Sequence, residues 1–331
     1  MSDISRSSLT LENIRKPVNA ELKMFDHVFK QALKSQVMLV DLVTRYILRQ
    51  KGKRVRPLLV FLSAKLCGDI NDSTFRAATL IEILHTATLV HDDIVDDAES
   101  RRGLASINAV WKNKVAVLFG DYLLSRGLLL SLQYKDHYFL NSTSNAVKRM
   151  SEGELLQIQK SRQLNLDEAT YVKIIGDKTA SLFSACTDIG AASTTDLPEK
   201  REFLKVYGEK VGLIFQIRDD VLDYLGRKSI LGKPTGGDLK QRKLTLPLIH
   251  ALKQSDRREA NRAIRYIKRG ILKKEISWII DFVQANGGIE YSLNKANEFA
   301  EDARRSLSSF PHSEAKESLS QFVDFVLLRS T

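Results

Sequence analysis

Two aspartate-rich stretches inside apolar helical runs constrain this chain more than any other feature. "HTATLVHDDIVDDAESRRG" (85–103) carries Asp92, Asp93, Asp96 and Asp97. "FQIRDDVLDYLG" carries Asp219, Asp220 and Asp223, the second cluster starting 127 residues after the first. Ionised carboxylates taken out of water are strongly destabilising unless something positive meets them. With about 3.6 residues per helical turn, His85, Leu89, Asp92 and Asp96 fall on one stripe, and Asp92 and Asp96 stand one turn apart. In the second stretch Asp219 and Asp223 have the same spacing, with Gln216 on the same face. Oxygen ligands on a rigid helix suit a hard cation such as Mg2+, which keeps waters and takes phosphate oxygens as its other ligands. One such cluster alone also fits a solvated acidic patch near a helix end. Two clusters facing each other across a helical bundle form a carboxylate site able to hold more than one Mg2+ around a polyphosphate.

The rest of the chain supports helices. "RAATLIEILHTATLV", "VAVLFGDYLLSRGLLLSL" and "LKVYGEKVGLIFQIRDDVLDYLG" place apolar residues three or four apart, while strict alternation is nearly absent. Breakers fall between these runs, as in "QKGKRVRP", "TTDLPEK" and "LGKPTGGD". The expectation is an all-α protein of roughly ten or more helices, without a strand–turn–helix phosphate loop. Cys67 and Cys186 lack metal-ligand spacing and fit a reduced, cytoplasmic setting. Residues 1–10 are polar and serine-rich, without the apolar core of a signal peptide, and no long uninterrupted apolar run reads as a membrane span.

The net charge of +11 calls for an anionic partner: nucleic acid, a membrane surface or a phosphorylated substrate. Basic residues gather in "KGKRVRP" (Lys53, Arg54, Arg56), after the first aspartates (Arg101, Arg102), in "GDKTASL" (Lys178 beside Thr179) and around "GKPTGGDLKQRK" (Lys233, Lys243). Each alone reads as a surface cation. Together they outline two anion sites, one bridged by metal and one held directly by arginine forks and lysines. The basic run "KQSDRREANRAIRYIKRGILKKE" reads as a solvated helix face.

These motifs resemble those of the trans-isoprenyl (polyprenyl) diphosphate synthases, and among them the long-chain octaprenyl type that makes quinone side chains. "HDDIVDDAESRRG" and "QIRDDVLDYLG" are similar to that family's paired aspartate motifs, and "GKRVRP", "KTASL" and "GKPTGGDL" fall in family order over residues 10–330. The resemblance implies a single-domain isoprenoid synthase-type helical bundle around a central apolar cavity over residues 1–331, working as a homodimer in the cytoplasm, with residues 1–10 expected to be flexible. It implies Mg2+, three ions per active site, held by Asp92, Asp96 and Asp219 with support from Asp93, Asp220 and Asp223. The allylic diphosphate would meet Arg101, Lys178, Thr179, Gln216, Lys233 and Lys243. Isopentenyl diphosphate would meet Gly52, Lys53, Arg56, His85 and Arg102. Catalysis would rest on Asp92, Asp96, Lys178, Asp219 and Lys233, with the leaving diphosphate itself taking the last proton. Two positions depart from the family pattern: Lys51 precedes Gly52 where a second glycine is usual, and Arg242 replaces the glycine before Lys243.

Product length is expected to be set upstream of Asp92, at Thr88, Ala87 and Leu84. Short-chain relatives place an aromatic ring five residues before the first aspartate. Ala87 at that place implies an open path and a product on the order of six to ten isoprene units, centred on eight, as the resemblance suggests. A shorter-chain synthase, a terpene cyclase-like enzyme and a basic helical binding protein are the alternatives. The Lys53, Arg56 and Arg102 set argues against a cyclase, which needs one diphosphate site, and the two intact clusters argue against a non-catalytic partner subunit. A transient membrane-surface contact for product release is expected, and nucleic acid is not.

Overall fold

The computed structural model describes residues 9–49, 52–101, 103–225 and 236–329. Lys51, Arg102 and Lys233 lie outside the described residues. In chain order the helices are α1 (Leu11–Arg15), α2 (Asn19–Ala32), α3 (Met38–Arg49), α4 (Val55–Cys67), α5 (Asp72–Val95), α6 (Ile107–Gln133), α7 (His137–Gln163) and α8 (Glu168–Ile175). After a π-turn at Gly176–Ala180 come α9 (Ser181–Ala192), α10 (Pro198–Tyr224), α11 (Gly237–Lys240), α12 (Leu246–Gln254), α13 (Arg257–Arg269), α14 (Lys273–Ala285), α15 (Gly288–Ser306) and α16 (Glu314–Leu328). Among the described residues the only strands are two short ones, β1 (Ser100–Arg101) and β2 (Leu104–Ala105), paired antiparallel. The all-α expectation holds; the strands of the hairpin, two residues each, are too short to show alternation.

The chain groups into two compact units. The first takes residues up to Val147 with Ala185–Lys205 and Phe310–Leu319; the second takes Lys148–Ser184, Val206–Ser309 and residues from Ser320 on.

In the first unit, α5 is the central element. Asn71 starts it: its carboxamide oxygen accepts from the Ser73 and Thr74 backbone N–H groups at 2.8 and 3.3 Å, and the Thr74 hydroxyl accepts from Asn71 N in return. This reciprocal cap satisfies donors that the first helical turn leaves unpaired. The Thr74 hydroxyl also lies 2.8 Å from Ser193 Oγ, which ties the start of α5 to the chain after α9. Leu80, Ile83 and Leu84 pack over Gly127 of α6. The helix stops at Val95; Asp96 leaves helical geometry and Asp97 takes a left-handed φ of 48°. Among the described residues α6 is the one helix long and apolar enough to cross a bilayer, yet only 33% of its most apolar window is buried. Arg126, two turns before its C-terminal end, donates to the Ala32 carbonyl, a tie to α2 that fixes the helix within this unit.

In the second unit, Tyr207, Val211, Ile214, Ile217, Val221 and Tyr224 of α10 are all buried. Their spacing of three and four is the stripe that the apolar pattern of "LKVYGEKVGLIFQIRDDVLDYLG" foretold. It aims Gln216 and Asp220 into the interior and leaves Asp219 on the exposed side.

Candidate active site

The opening puzzle of buried aspartates has a different answer at each position. Asp92, Asp96 and Asp97 are exposed, and only Asp93 of the first cluster is buried. Asp93 is therefore placed to anchor, not to ligate: Arg101, arriving on the β1–β2 hairpin, donates to its Oδ1 at 2.7 Å. A one-residue step turns a helix by about 100°, which is why neighbours in "DD" take opposite roles. Asp92 and Asp96 stand at the C-terminal end of α5, where the helix dipole adds negative partial charge. Carboxylates there are unfavourable without a cation, so the donor set fits Mg2+ with water and phosphate completing its shell. Among the described residues no group of three or more His, Cys, Asp or Glu forms a metal cage by itself.

A cleft of about 530 Å3 in the first unit is lined by His85, Leu89, Asp93 and Arg101, with Arg54 and Glu82 beside them. Arg56 Nη1 donates to His85 Nε2 at 2.9 Å, so two of the expected isopentenyl diphosphate contacts meet directly. Arg56 carries only donors, so His85 Nε2 is the acceptor in this contact. Lys53 is exposed and Gly52 half-buried beside it. Arg54, which the motif reading left unassigned, pairs with the buried Glu82 and with Asp26. Glu82 was detectable as a lone acid in the apolar run "ATLIEILHT". Leu84 and Ala87 are buried and Thr88 is half-buried, but none of them lines this cleft; it uses the neighbouring face of α5.

The second unit holds a cleft of about 560 Å3 whose lining includes Tyr171, Lys178, Gln216, Asp220, Asp238 and Lys243. Three of the expected allylic diphosphate contacts thus share one cavity. Thr179 joins them through a chain of hydrogen bonds: its hydroxyl donates to Gln216 Oε1 (2.8 Å), Gln216 Nε2 donates to Asp220 Oδ1 (2.8 Å), and Tyr171 OH donates to Asp220 Oδ2 (2.7 Å). Lys178 and Thr179 ride on the π-turn, a geometry often met at functional sites. Lys178 Nζ donates to Gln157 at 2.8 Å and pairs with Glu154. Two glycines let helices press on this turn. A Cβ at Gly153 would stand 2.9 Å from the Lys178 nitrogen, and one at Gly212 only 2.4 Å from the Ala180 Cα. Asp177 in the same turn is held by Arg149 and Lys173; burial pushes its pKa up, but these two cations keep it below the ordinary value.

Asp223 is occupied in shaping the backbone: its two oxygens accept from Gly237 N and Asp238 N, both at 3.1 Å, at the start of α11. Arg242 adopts φ 56°, a left-handed conformation that glycine takes freely and that costs another residue about 1 kcal/mol. Asp219 pairs with Arg329, whose guanidinium lies 3.9 Å over the Phe215 ring. Burial lowers the Arg329 pKa to about 10. No sequence signal pointed to this arginine.

Burial, with Asp238 nearby, pushes the Asp220 carboxyl up to about 7 against the pull of Tyr171, Gln216 and Lys243. A carboxylate raised above its unfolded value stabilises the fold below the unfolded pKa, and that contribution is lost as pH rises towards the folded one. Metal-free Asp220→Asn, which can keep both hydrogen bonds, should gain on the order of 2 kcal/mol near pH 8 and almost nothing near pH 4. Chemical denaturation in the presence of a chelator at both pH values checks this; an equal shift at both would contradict it.

The Polyprenyl synthetase family profile matches residues 37–281, well over half of the chain. The chain belongs to the polyprenyl synthetase family. It is 37% identical to the all-trans-nonaprenyl-diphosphate synthase (geranyl-diphosphate specific) of Rhodobacter capsulatus over 93% of this chain and 94% of that one. It is 32% identical to the octaprenyl diphosphate synthase of Haemophilus influenzae, again over 94% of each chain. Among solved structures it is similar to a polyprenyl synthase from Caulobacter crescentus complexed with calcium and isoprenyl diphosphate. There the TM-score is 0.90 at 33% identity, covering 97% of this chain and 98% of that one. The all-helical isoprenoid synthase fold and a prenyltransferase activity follow for this polyprenyl synthetase.

Proposed function

We propose that this polyprenyl synthetase adds isopentenyl diphosphate units head-to-tail to an allylic diphosphate. The product is a long all-trans polyprenyl diphosphate, on the order of eight isoprene units, in line with the length named for its octaprenyl relative. The observation that carries the reading is the second-unit cleft, where Lys178, Lys243 and Gln216 converge beside a buried carboxylate. Cations and an amide donor around one cavity suit a diphosphate leaving group.

Asp92 and Asp96 at the end of α5, and Asp219 on α10, would hold Mg2+, three ions with substrate bound. The bound metal would supply positive charge to the departing diphosphate. Lys178 and Lys243 of the second-unit cleft neutralise that diphosphate as the allylic C–O bond ionises. Thr179 fixes the Gln216 carboxamide so that it meets the diphosphate in one orientation. Lys53, Arg56 and Arg102 hold isopentenyl diphosphate while its double bond attacks the allylic carbon. His85 accepts from Arg56 and so positions it; the proton lost in the last step goes to the released diphosphate. Apolar side chains such as Leu89, Val90 and Ile107 keep water from quenching the cation.

A second copy of the chain completes the protein as a homodimer. Val117, Leu118, Leu128, Leu129 and Leu132 form an exposed apolar stripe along α6, which a twofold partner would cover.

The direct test follows diphosphate release from an allylic starter. Release should need both isopentenyl diphosphate and Mg2+, stop with a chelator, and consume several isopentenyl units per starter. Release without isopentenyl diphosphate, giving a cyclic hydrocarbon, would favour the cyclase reading. The two-site assignment has its own check in initial rates. Lys53→Ala and Arg56→Ala should each raise KM for isopentenyl diphosphate roughly 10- to 100-fold, about 1.5–3 kcal/mol, with a much smaller change for the starter. Lys53→Ala is the cleaner of the two, because Arg56 also holds His85. Equal changes for both substrates would collapse the assignment.

A further inference from the structure

The basic run around α13 has no part in the chemistry described so far. Residues 253–274 contain nine Lys or Arg and two acidic residues, so 22 residues supply seven of the chain's net eleven positive charges. On α13 itself, Arg257, Arg258, Arg262, Arg265, Lys268 and Arg269 are all exposed. With about 100° per residue these six fall within an arc of about 140°, centred on Arg265. Ala263 and Ile267, both fully buried, point the opposite way. Among the described residues only Arg269 of the six has a carboxylate partner, Glu275. Thirteen helical residues carry this face over about 20 Å.

We infer that the basic face of α13 is a docking surface for an anionic phospholipid bilayer. Charge complementarity is the first reason, since cations near an anionic leaflet each add to binding. The second is what flanks them. Past α13, Gly270 turns the chain with φ 93°, and Leu272 stands 62% exposed directly before Lys273 and Lys274. An apolar side chain among cations has nothing to gain from a nucleic-acid backbone, but it can enter the headgroup region of a bilayer. Tyr266 and Trp278 lie at the edge of the same face, with the Arg262 guanidinium 4.4 Å over the Trp278 ring, and amphipathic rings of this kind favour the membrane interface. The third reason rests on the proposed function: a polyprenyl product with a long apolar tail needs a lipid phase to receive it.

Pelleting the full-length protein with vesicles tests this without any substrate, so a failure here leaves the product assignment standing. Vesicles of equal parts phosphatidylglycerol and phosphatidylcholine should pellet the protein at physiological ionic strength, and vesicles of phosphatidylcholine alone should not. The combined variant Arg258→Gln, Arg265→Gln, Lys268→Gln should bind the anionic vesicles about 100-fold more weakly. Its turnover in detergent solution should be unchanged, since none of the three belongs to the active site. Leu272→Ser should also weaken vesicle binding while leaving the charge intact. Equal pelleting with neutral and anionic vesicles, or unchanged binding by the triple variant, would overturn the inference. So would duplex DNA displacing the protein from the vesicles at equal phosphate concentration, in favour of a nucleic-acid partner.

Discussion

Asp92→Ala lowers turnover about 1,000-fold and leaves the metal-free protein folded. Asp92 is exposed at the C-terminal end of α5, so its removal opens no cavity in the core. All of the loss falls on the metal that the carboxylate would hold. Asp219→Ala loses turnover to the same extent but also destabilises the fold, by about 1–3 kcal/mol, because Arg329 is left without its carboxylate. The two variants therefore separate ligation from folding. Turnover of either variant near that of the unchanged protein, at ordinary Mg2+ concentrations, would contradict the assignment of the two clusters.

Ala87→Phe shortens the product, towards three or four isoprene units, while the starter is still consumed. Ala87 is fully buried in α5, one turn before His91 and five residues before Asp92. On the path that the resemblance implies, a phenyl ring there would take space that the growing chain uses. It also risks overpacking, at about 1–3 kcal/mol, so the variant's melting temperature and its rate with the first isopentenyl unit are measured beside product length. A folded, active variant with an unchanged product would place the chain on another face of α5. The cleft lined by His85, Leu89 and Asp93 shows where that face lies.

Much of this was legible in the sequence because the signals are local. Apolar spacing gave the helices, and acidic pairs inside apolar runs gave the two clusters. What local pattern could not give is which member of each pair is buried. Asp93 goes inside because Arg101 arrives on a hairpin two residues deep, and Asp220 because Tyr171 and Gln216 close over it. Asp223 was expected to support the second cluster; it shapes the backbone at Gly237 and Asp238, an interaction set by a segment more than ten residues away. Arg329 lies 110 residues from Asp219 and was invisible for the same reason. Arg242 departs from the family's usual glycine, and its positive φ is a conformation that glycine adopts without strain.

The central claim is that these residues build a long chain from isopentenyl units. Incubating the protein with labelled isopentenyl diphosphate, an allylic starter and Mg2+, then separating the dephosphorylated products by reversed-phase chromatography, tests it most directly. The account predicts a dominant all-trans alcohol on the order of eight isoprene units. Products that stop at three or four units would contradict it.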